Sequence, residues 1–167
     1  MNIMKGITAL IAACLTSLGA LASGSASTPF FQIRLVLDAP SEGSEQMVYV
    51  STRGGEGKEM LYVQKTVLLD ETALASATLV PADARYDRLR IEIVFTDKGK
   101  KRLATVTRRS TGKCLAFIVG GKIYYAPKVM AEISSGTMQI FGSFSEREAN
   151  DLVAQINEMI KETSSKR

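Results

Sequence analysis

The chain has 167 residues, of which 46% are apolar and 23% charged, with a formal net charge of +4. This length suffices for one domain with a substantial core, and the composition excludes the disordered, collagen-like and disulfide-dense classes. The charge is uneven, since residues 23–90 carry 7 basic and 9 acidic groups and residues 91–167 carry 13 and 8, which indicates an anionic partner for the second half.

Residues 1–22 have the pattern of a secretory signal peptide. Lys5 is the only charge before an apolar run that extends to Leu21, and residues 20–22 form an A-x-A cleavage site. The run is shorter than the roughly 20 residues of a spanning helix, which disfavours a membrane anchor. In another interpretation Cys14 is the lipidated cysteine of a lipoprotein, but the chain stays apolar beyond it. We therefore expect export to the periplasm, with a lipid anchor at Cys14 as the alternative.

The mature chain is predicted to form one domain. Residues 23–30 are a short Ser/Gly-rich tether, residues 31–163 are the domain, and residues 164–167 are a polar tail. No long apolar run follows the leader, so we expect no transmembrane span in the mature chain.

The first half of the domain is predicted to consist mainly of strands. FQIRLVL alternates apolar and other residues, which predicts a half-buried strand. MVYV at 47–50 and MLYV at 60–63 predict two strands joined by an exposed hairpin loop. LLDETALASA predicts a short helical turn with Asp70 as its cap.

The next predicted strand is LRIEIVFT, whose apolar residues alternate with polar ones over residues 89–96. Thr96 is placed to cap a helix that extends to about Ser110. Leu103 and Val106 would face the core from this helix.

GKCLAFIVGGKIYYAP, residues 112–127, predicts a central hairpin. In CLAFIV both alternating sets are apolar, which is typical of a strand buried on both faces. Gly120 and Gly121 suit a two-residue turn, and Pro127 is expected to end the pairing because it has no amide donor. Cys114 remains alone after leader cleavage and is expected to be a small buried hydrophobe.

The C-terminal part contains a short strand, MQIFG, and a long helix that Ser145 and Glu148 begin as a capping box. The helix has an apolar stripe formed by Ala149, Leu152, Val153, Ile156, Met159 and Ile160. The elements together predict an α+β domain, a largely antiparallel sheet with two main helices packed on it.

The sequence shows little catalytic chemistry. It has no histidine, which excludes Ser-His-Asp and Cys-His mechanisms, and the single mature thiol cannot form a zinc site. STRGGEGKE and RRSTGKC lack the first glycine and the final Ser or Thr of a phosphate loop. Two acids that meet across a cleft are the catalytic arrangement that the sequence leaves open. We expect no enzyme activity, no cofactor and no metal.

Residues 97–113 carry seven basic groups and one acid, the strongest surface feature of the sequence. A solvated helix face is the ordinary interpretation, and a docking surface for an acidic polypeptide, anionic lipid or envelope polymer is the functional one. Nucleic acid is not expected, because no aromatic platform interleaves with these charges. Adjacent tyrosines on a strand point to opposite faces, so we expect one in the core and one near the surface. The candidate partner-binding residues are Lys100, Lys101, Arg108, Arg109, Tyr124 and Tyr125.

From Leu89 onward the chain resembles the head part of the first periplasmic domain of SecD, a bacterial protein-export subunit also found fused as SecDF. The segments that carry the resemblance are IEIVFTDKGKKRLATVT, GKCLAFIVGGKIYYAP and EISSGTMQIFGSFSEREANDL, in this order. A looser similarity covers residues 31–81. The sequence departs from the family pattern at Cys114, Gly120 and Phe141.

The resemblance implies a head that contacts extended, newly exported polypeptide. The family's membrane helices are not in this sequence, so we expect no proton-driven pulling by this chain alone. The expected function is that of an exported, non-catalytic module that binds exported or unfolded polypeptide, or an envelope protein, and assists export. The alternative is a structural or regulatory envelope domain that binds one folded partner or an anionic surface.

Overall fold

The structure, a computed structural model, describes residues 28–51, 57–142 and 144–166. The predicted leader with Cys14 and the centre of the first hairpin loop lie outside these residues. The strands and α-helices are β1 (Phe31–Leu37), β2 (Ser44–Ser51), β3 (Gly57–Asp70), β4 (Leu74–Val80), β5 (Arg90–Phe95), α1 (Asp97–Arg109), β6 (Leu115–Val119), β7 (Lys122–Tyr125), β8 (Thr137–Phe141) and α2 (Glu146–Ser165). The predicted α+β class, with mostly antiparallel strands and two main helices, is confirmed.

The strands form two sheets, a division that the sequence did not predict. One is a closed barrel in the order β1-β3-β2-β7-β6, and the other is a three-stranded sheet in the order β4-β5-β8. Pairing is antiparallel throughout except between β2 and β7, where Tyr49 lies opposite Ile123 in a parallel bridge. Each of the five barrel strands thus has a neighbouring strand on both sides, and one bridge joins β2 to β7.

Barrel closure explains the burial of β6 and β1. All five residues of β6 are buried between β1 and β7, so its predicted central place is confirmed. The half-buried prediction for β1 is wrong, because Gln32 and Arg34 are only 2% and 6% exposed. The buried guanidinium of Arg34 has two partners. Its Nη1 lies 2.6 Å from Oε1 of Glu45, and its Nε donates to the Gln64 carbonyl at 2.7 Å.

The central hairpin has the predicted turn but a longer ladder. Gly120 and Gly121 have φ angles of 55° and 77°, which glycine adopts without steric cost. Pro127 does not end the pairing, because its carbonyl accepts from the Leu115 amide at 3.1 Å. The ladder continues as a bridge between Cys114 and Lys128. Cys114 is therefore half-buried at an irregular strand end, and the prediction of a buried core thiol is wrong.

The segment LLDETALASA is mostly strand. Asp70 caps a helical turn as predicted, since its carboxylate accepts from the Thr72 amide at 3.0 Å, but the turn is a 3-10 helix of only three residues, 71–73. It joins β3 directly to β4, which pairs with β5. Strand pairing on both sides of the turn overrides the local helical pattern.

Both helices begin at the predicted caps; α2 packs on β4 and β5 of the three-stranded sheet, and α1 packs against the 3-10 turn, β3 and β5. The Thr96 hydroxyl accepts from the Gly99 amide at 3.0 Å, and Leu103 is fully buried. Ser145 and Glu148 form the expected capping box of α2. The inward residues of α2 are Ala149, Leu152 and Ile156, which are buried, and Val153, Met159 and Ile160, which are half-buried. Helix α2 extends to Ser165, so two residues of the proposed polar tail are helical.

Candidate functional site

The basic face of α1 is solvent-exposed. Arg108 approaches Glu132 at 3.9 Å, an exposed ion pair of small energetic value. The aliphatic stem of Lys100 packs over Gly136, where a Cβ would lie 2.8 Å from its Cδ. The basic face consists of the exposed side chains Lys100, Lys101, Arg108 and Arg109. These four cations are free of the core and available to a partner in solution.

Tyr124 and Tyr125 do not divide into one core and one surface residue, because both are half-buried. The Tyr124 ring lies 6.0 Å from that of Phe144 and beneath the Lys122 amine, 5.0 Å from the ring centroid. The Tyr125 ring lies 6.0 Å from Phe117 on the other face of β7. Both tyrosines pack against the same hydrophobic core, but their rings contact different aromatic partners, and the structure does not bring them together as one site.

Tyr125 lines a cavity of about 320 Å³ where the barrel meets the three-stranded sheet. The Phe141 ring lies 6.1 Å from Tyr125 and 5.3 Å from Tyr86, so the three rings form a continuous series. We call this space the aromatic cavity; its lining residues are Tyr49, Arg85, Tyr86, Asp87, Arg88, Tyr125 and Phe141. Its rings offer contacts to apolar or aromatic side chains of a partner.

The loop of residues 81–89 holds Tyr86 at the cavity. Asp83 organises it, since its carboxylate accepts from the backbone amides of Arg85 and Tyr86, both at 2.9 Å. Arg90, which is 5% exposed, donates to the same carboxylate and to the Pro81 carbonyl, and its guanidinium lies 4.8 Å above the Tyr86 ring. The hydrogen bond from Arg90, followed by those from the two amides, lowers the pKa of Asp83 below its usual value.

The rim of the aromatic cavity is positively charged on balance. Arg88 lies 3.5 Å from Asp87, so these two charges largely offset each other. Arg85 forms no ion pair with any residue in the part of the chain that the structure describes. A guanidinium without a counter-charge beside aromatic rings suits an acidic group that accompanies an apolar one.

Sequence reasoning placed one of these lining residues, Tyr125, in a site and missed the others. Tyr49 and Phe141 are on strands far apart in sequence, and Tyr86 lies in a loop without periodicity. Phe141 is one of the positions at which the sequence departs from the pattern of the family it resembles. One local signal could have indicated that this loop is ordered. Asp83 precedes Arg85 by two residues and Tyr86 by three, which is the spacing of an Asx turn.

The described residues give no sign of a metal or membrane-spanning element. Across residues 28–51, 57–142 and 144–166, no three potential metal-ligating side chains converge. Within the same ranges, neither helix combines the length and apolar character that a membrane crossing requires.

Comparison with known proteins assigns the fold to a family. The sequence profile of "SecDF, P1 head subdomain" matches residues 45–158. SecDF of Thermus thermophilus is 35% identical over 82 residues, which cover 47% of this chain and 11% of that protein. SecD of Rickettsia prowazekii is 32% identical over 99 residues, which cover 58% of this chain and 18% of that protein. The chain belongs to the SecDF P1 head family.

Solved structures show the same fold. A crystal structure of SecDF in its Super-membrane-facing form has a TM-score of 0.58 and 24% identity, and covers 77% of this chain and 18% of that one. A structure described as a SecDF membrane component that enhances protein export has a TM-score of 0.59 and 21% identity. The match covers 77% of this chain and 61% of that one. The chain thus spans less than a fifth of the SecD and SecDF proteins named above.

Proposed function

We propose that the chain is an exported, non-catalytic binding module that contacts extended polypeptide in the periplasm and assists protein export. The observation that carries the proposal is the aromatic cavity, with the unpaired guanidinium of Arg85 at its rim, in a fold of the SecDF P1 head family. Membership of this family supports a link with export, since one similar SecDF is described as enhancing protein export. Extended chains expose the apolar and acidic side chains that such a cavity accepts.

The basic face of α1 supports a second candidate function. The concentration of exposed cations on this helix suits a folded acidic envelope protein or an anionic surface, which long-range attraction would bring to the module. In this alternative the domain is structural or regulatory and does not distinguish folded from unfolded chains.

The test compares one unfolded probe with its folded form. We expect reduced, carboxymethylated α-lactalbumin to bind the purified mature chain and native α-lactalbumin not to bind, as measured by fluorescence anisotropy. Tyr86→Ala should weaken this binding about tenfold, because removal of a contact residue in an aromatic site costs about 1–2 kcal/mol. Tyr62→Ala is the matched control, since Tyr62 lies on the β2–β3 hairpin and contributes nothing to the cavity lining.

Two results would contradict the proposal. Equal binding of folded and unfolded probe would favour the alternative function. Binding that is unchanged in Tyr86→Ala, with normal folding of the variant, would remove the aromatic cavity from the proposal.

A further inference from the structure

The three-stranded sheet has two free edges, and one is obstructed. The Asn157 side chain accepts from the Ala77 amide at 2.9 Å and donates to the Ala77 carbonyl at 2.8 Å. Both backbone groups of Ala77 therefore point away from β5 towards α2. Helix α2 thus obstructs the outer edge of β4 in the middle of the strand, where another chain would have to pair.

The same geometry fixes which groups of β8 point outwards. Ala77 lies opposite Ile93, so the backbone groups of Ile93 point towards β8 and pair with Met138. Because orientation alternates along a strand, Thr137, Gln139 and Phe141 direct their amides and carbonyls to the outer edge. The outward groups of Thr137 are already used by the Ser135 hydroxyl. It accepts from the Thr137 amide at 3.3 Å and donates to the Thr137 carbonyl at 3.1 Å.

Gln139 and Phe141 form the rest of this edge, and we call it the open edge because its outward backbone groups are unpaired among the residues that the structure describes. Their outward amides and carbonyls form no hydrogen bond with any residue in the described part of the chain. The outward backbone groups of Gln139 and Phe141 are two residues apart along the strand, which is the spacing that a pairing strand requires. Paired backbone groups are the rule in folded proteins, so an open pair beside a cavity indicates where an extended chain can be added.

The open edge and the aromatic cavity meet at Phe141. Its backbone belongs to the edge, while its ring lines the cavity 5.3 Å from Tyr86 and 6.1 Å from Tyr125. Arg85 stands at the rim of the same cavity. A strand added to β8 would therefore place alternate side chains near the cavity, at the spacing of two residues that an extended backbone imposes.

We infer that an extended polypeptide segment pairs as an additional strand with Gln139 and Phe141 on the outer edge of β8. It places an apolar or aromatic side chain in the aromatic cavity and an acidic side chain, two residues away, beside Arg85. Charge complementarity with the uncompensated guanidinium selects this occupant over a basic segment. The inference rests on the proposed function and specifies how the module holds its substrate.

The first experiment uses a short synthetic peptide of alternating Thr and Val that carries one Phe and one Glu on the same face. Single N-methyl groups are introduced at successive amides of this peptide. Strand addition predicts an alternating pattern, in which methylation of every second amide weakens binding at least tenfold and methylation of the others changes it little. Replacing Glu by Lys should weaken binding in the unmethylated peptide.

A pair of variants tests the same inference from the protein side. Gln139→Pro removes an outward amide, at an edge position where proline is compatible with a sheet, and should weaken peptide binding at least tenfold. Gln139→Ala removes the same side chain, with its 3.4 Å hydrogen bond to Glu92, but keeps the amide, and should bind normally. If the proline variant does not fold, the methylation series decides alone.

The outcomes separate the inference from the proposed function. Binding of the unfolded probe that is sensitive to Tyr86→Ala, with no alternation among methylated peptides, would overturn strand addition and leave the proposed function intact. Absence of binding by both probes would overturn both.

Discussion

Gly99 in α1 lies against Ala73 so closely that a Cβ on Gly99 would be 2.1 Å from the Ala73 carbonyl oxygen. This contact joins the first turn of α1 to the 3-10 turn between β3 and β4. The same carbonyl accepts from the Thr96 amide at 2.9 Å, so it cannot move without loss of that bond.

The first prediction concerns this contact. Helix propensity alone would make Gly99→Ala stabilising by about 1 kcal/mol. Overpacking usually costs about 1–3 kcal/mol, and a contact of 2.1 Å with a backbone carbonyl places this clash at the upper end of that range, above the gain. We expect net destabilisation, measured by urea unfolding. Gly57→Ala is the matched control, because a Cβ there meets no atom within 4 Å, and it should leave the free energy of unfolding nearly unchanged.

The second prediction concerns the obstructed edge of β4. Asn157→Ala leaves the amide and carbonyl of Ala77 without partners in a partly buried position, which should destabilise the fold by about 1–3 kcal/mol. Asn150→Ala is its control, since Asn150 donates to a carbonyl on the exposed side of the same helix. Chemical denaturation measures both, and equal effects of the two changes would show that Asn157 acts only through helix propensity.

The third prediction concerns acid. The pKa of Asp83 is lowered in the folded state, chiefly by the Arg90 hydrogen bond, so its carboxylate stabilises the fold above the ordinary pKa of about 3.9. That contribution is lost as the pH falls from about 4 through the lower folded-state value. Asp83→Asn should therefore be less stable than wild type at pH 7 and less sensitive to acid below pH 4.

Glu148 also contributes to the loss of stability in acid, over the same range of pH as Asp83, and its effect must be separated from that of Asp83. Its pKa is lowered by hydrogen bonds from the Ser145 hydroxyl and amide. The urea midpoint should depend even less on pH, between pH 7 and pH 2, in the double variant Asp83→Asn with Glu148→Gln than in Asp83→Asn alone. An unchanged slope in the single Asp83 variant would show that the Arg90 contact does not persist in solution.

The fourth prediction concerns the basic face of α1. Glutamine at Lys100, Lys101, Arg108 and Arg109 should leave the melting temperature nearly unchanged, because exposed charges contribute little to folding. Binding to poly-L-glutamate should weaken at low salt, and wild-type binding should weaken as the screening length falls from about 10 Å at 0.1 M to about 3 Å at 1 M.

Four exposed cations elsewhere provide a control with the same change in net charge. These are Lys65, Arg147, Lys161 and Lys166, each replaced by glutamine. Equal losses in the two sets would mean that net charge alone governs this binding, and that the basic face of α1 has no special role.

Local patterns were sufficient to predict most elements of the fold but not their partition into sheets. Strand β6 and the caps Thr96 and Ser145 follow from alternation and from hydrogen bonds within a few residues. The barrel depends on pairing between distant strands, so the burial of Arg34 carries no local signal. LLDETALASA fits both a short helix and two strand ends, and tertiary pairing selects the strands.

The site was less predictable for the same reason. The exposure of the basic face follows from helical spacing around Leu103. The aromatic cavity requires Tyr49, Tyr86 and Phe141 to converge from two sheets and a loop, and no local periodicity places them together.

The aromatic cavity also gives the protein an intrinsic optical reporter. The chain has no tryptophan and five tyrosines, and three of these line the cavity, Tyr49, Tyr86 and Tyr125. Ultraviolet emission excited near the tyrosine band therefore originates largely beside the site, and a ligand without aromatic residues adds none of its own. Occupancy of the cavity can thus be followed on the unlabelled protein, with emission from Tyr62 and Tyr124 as a constant background.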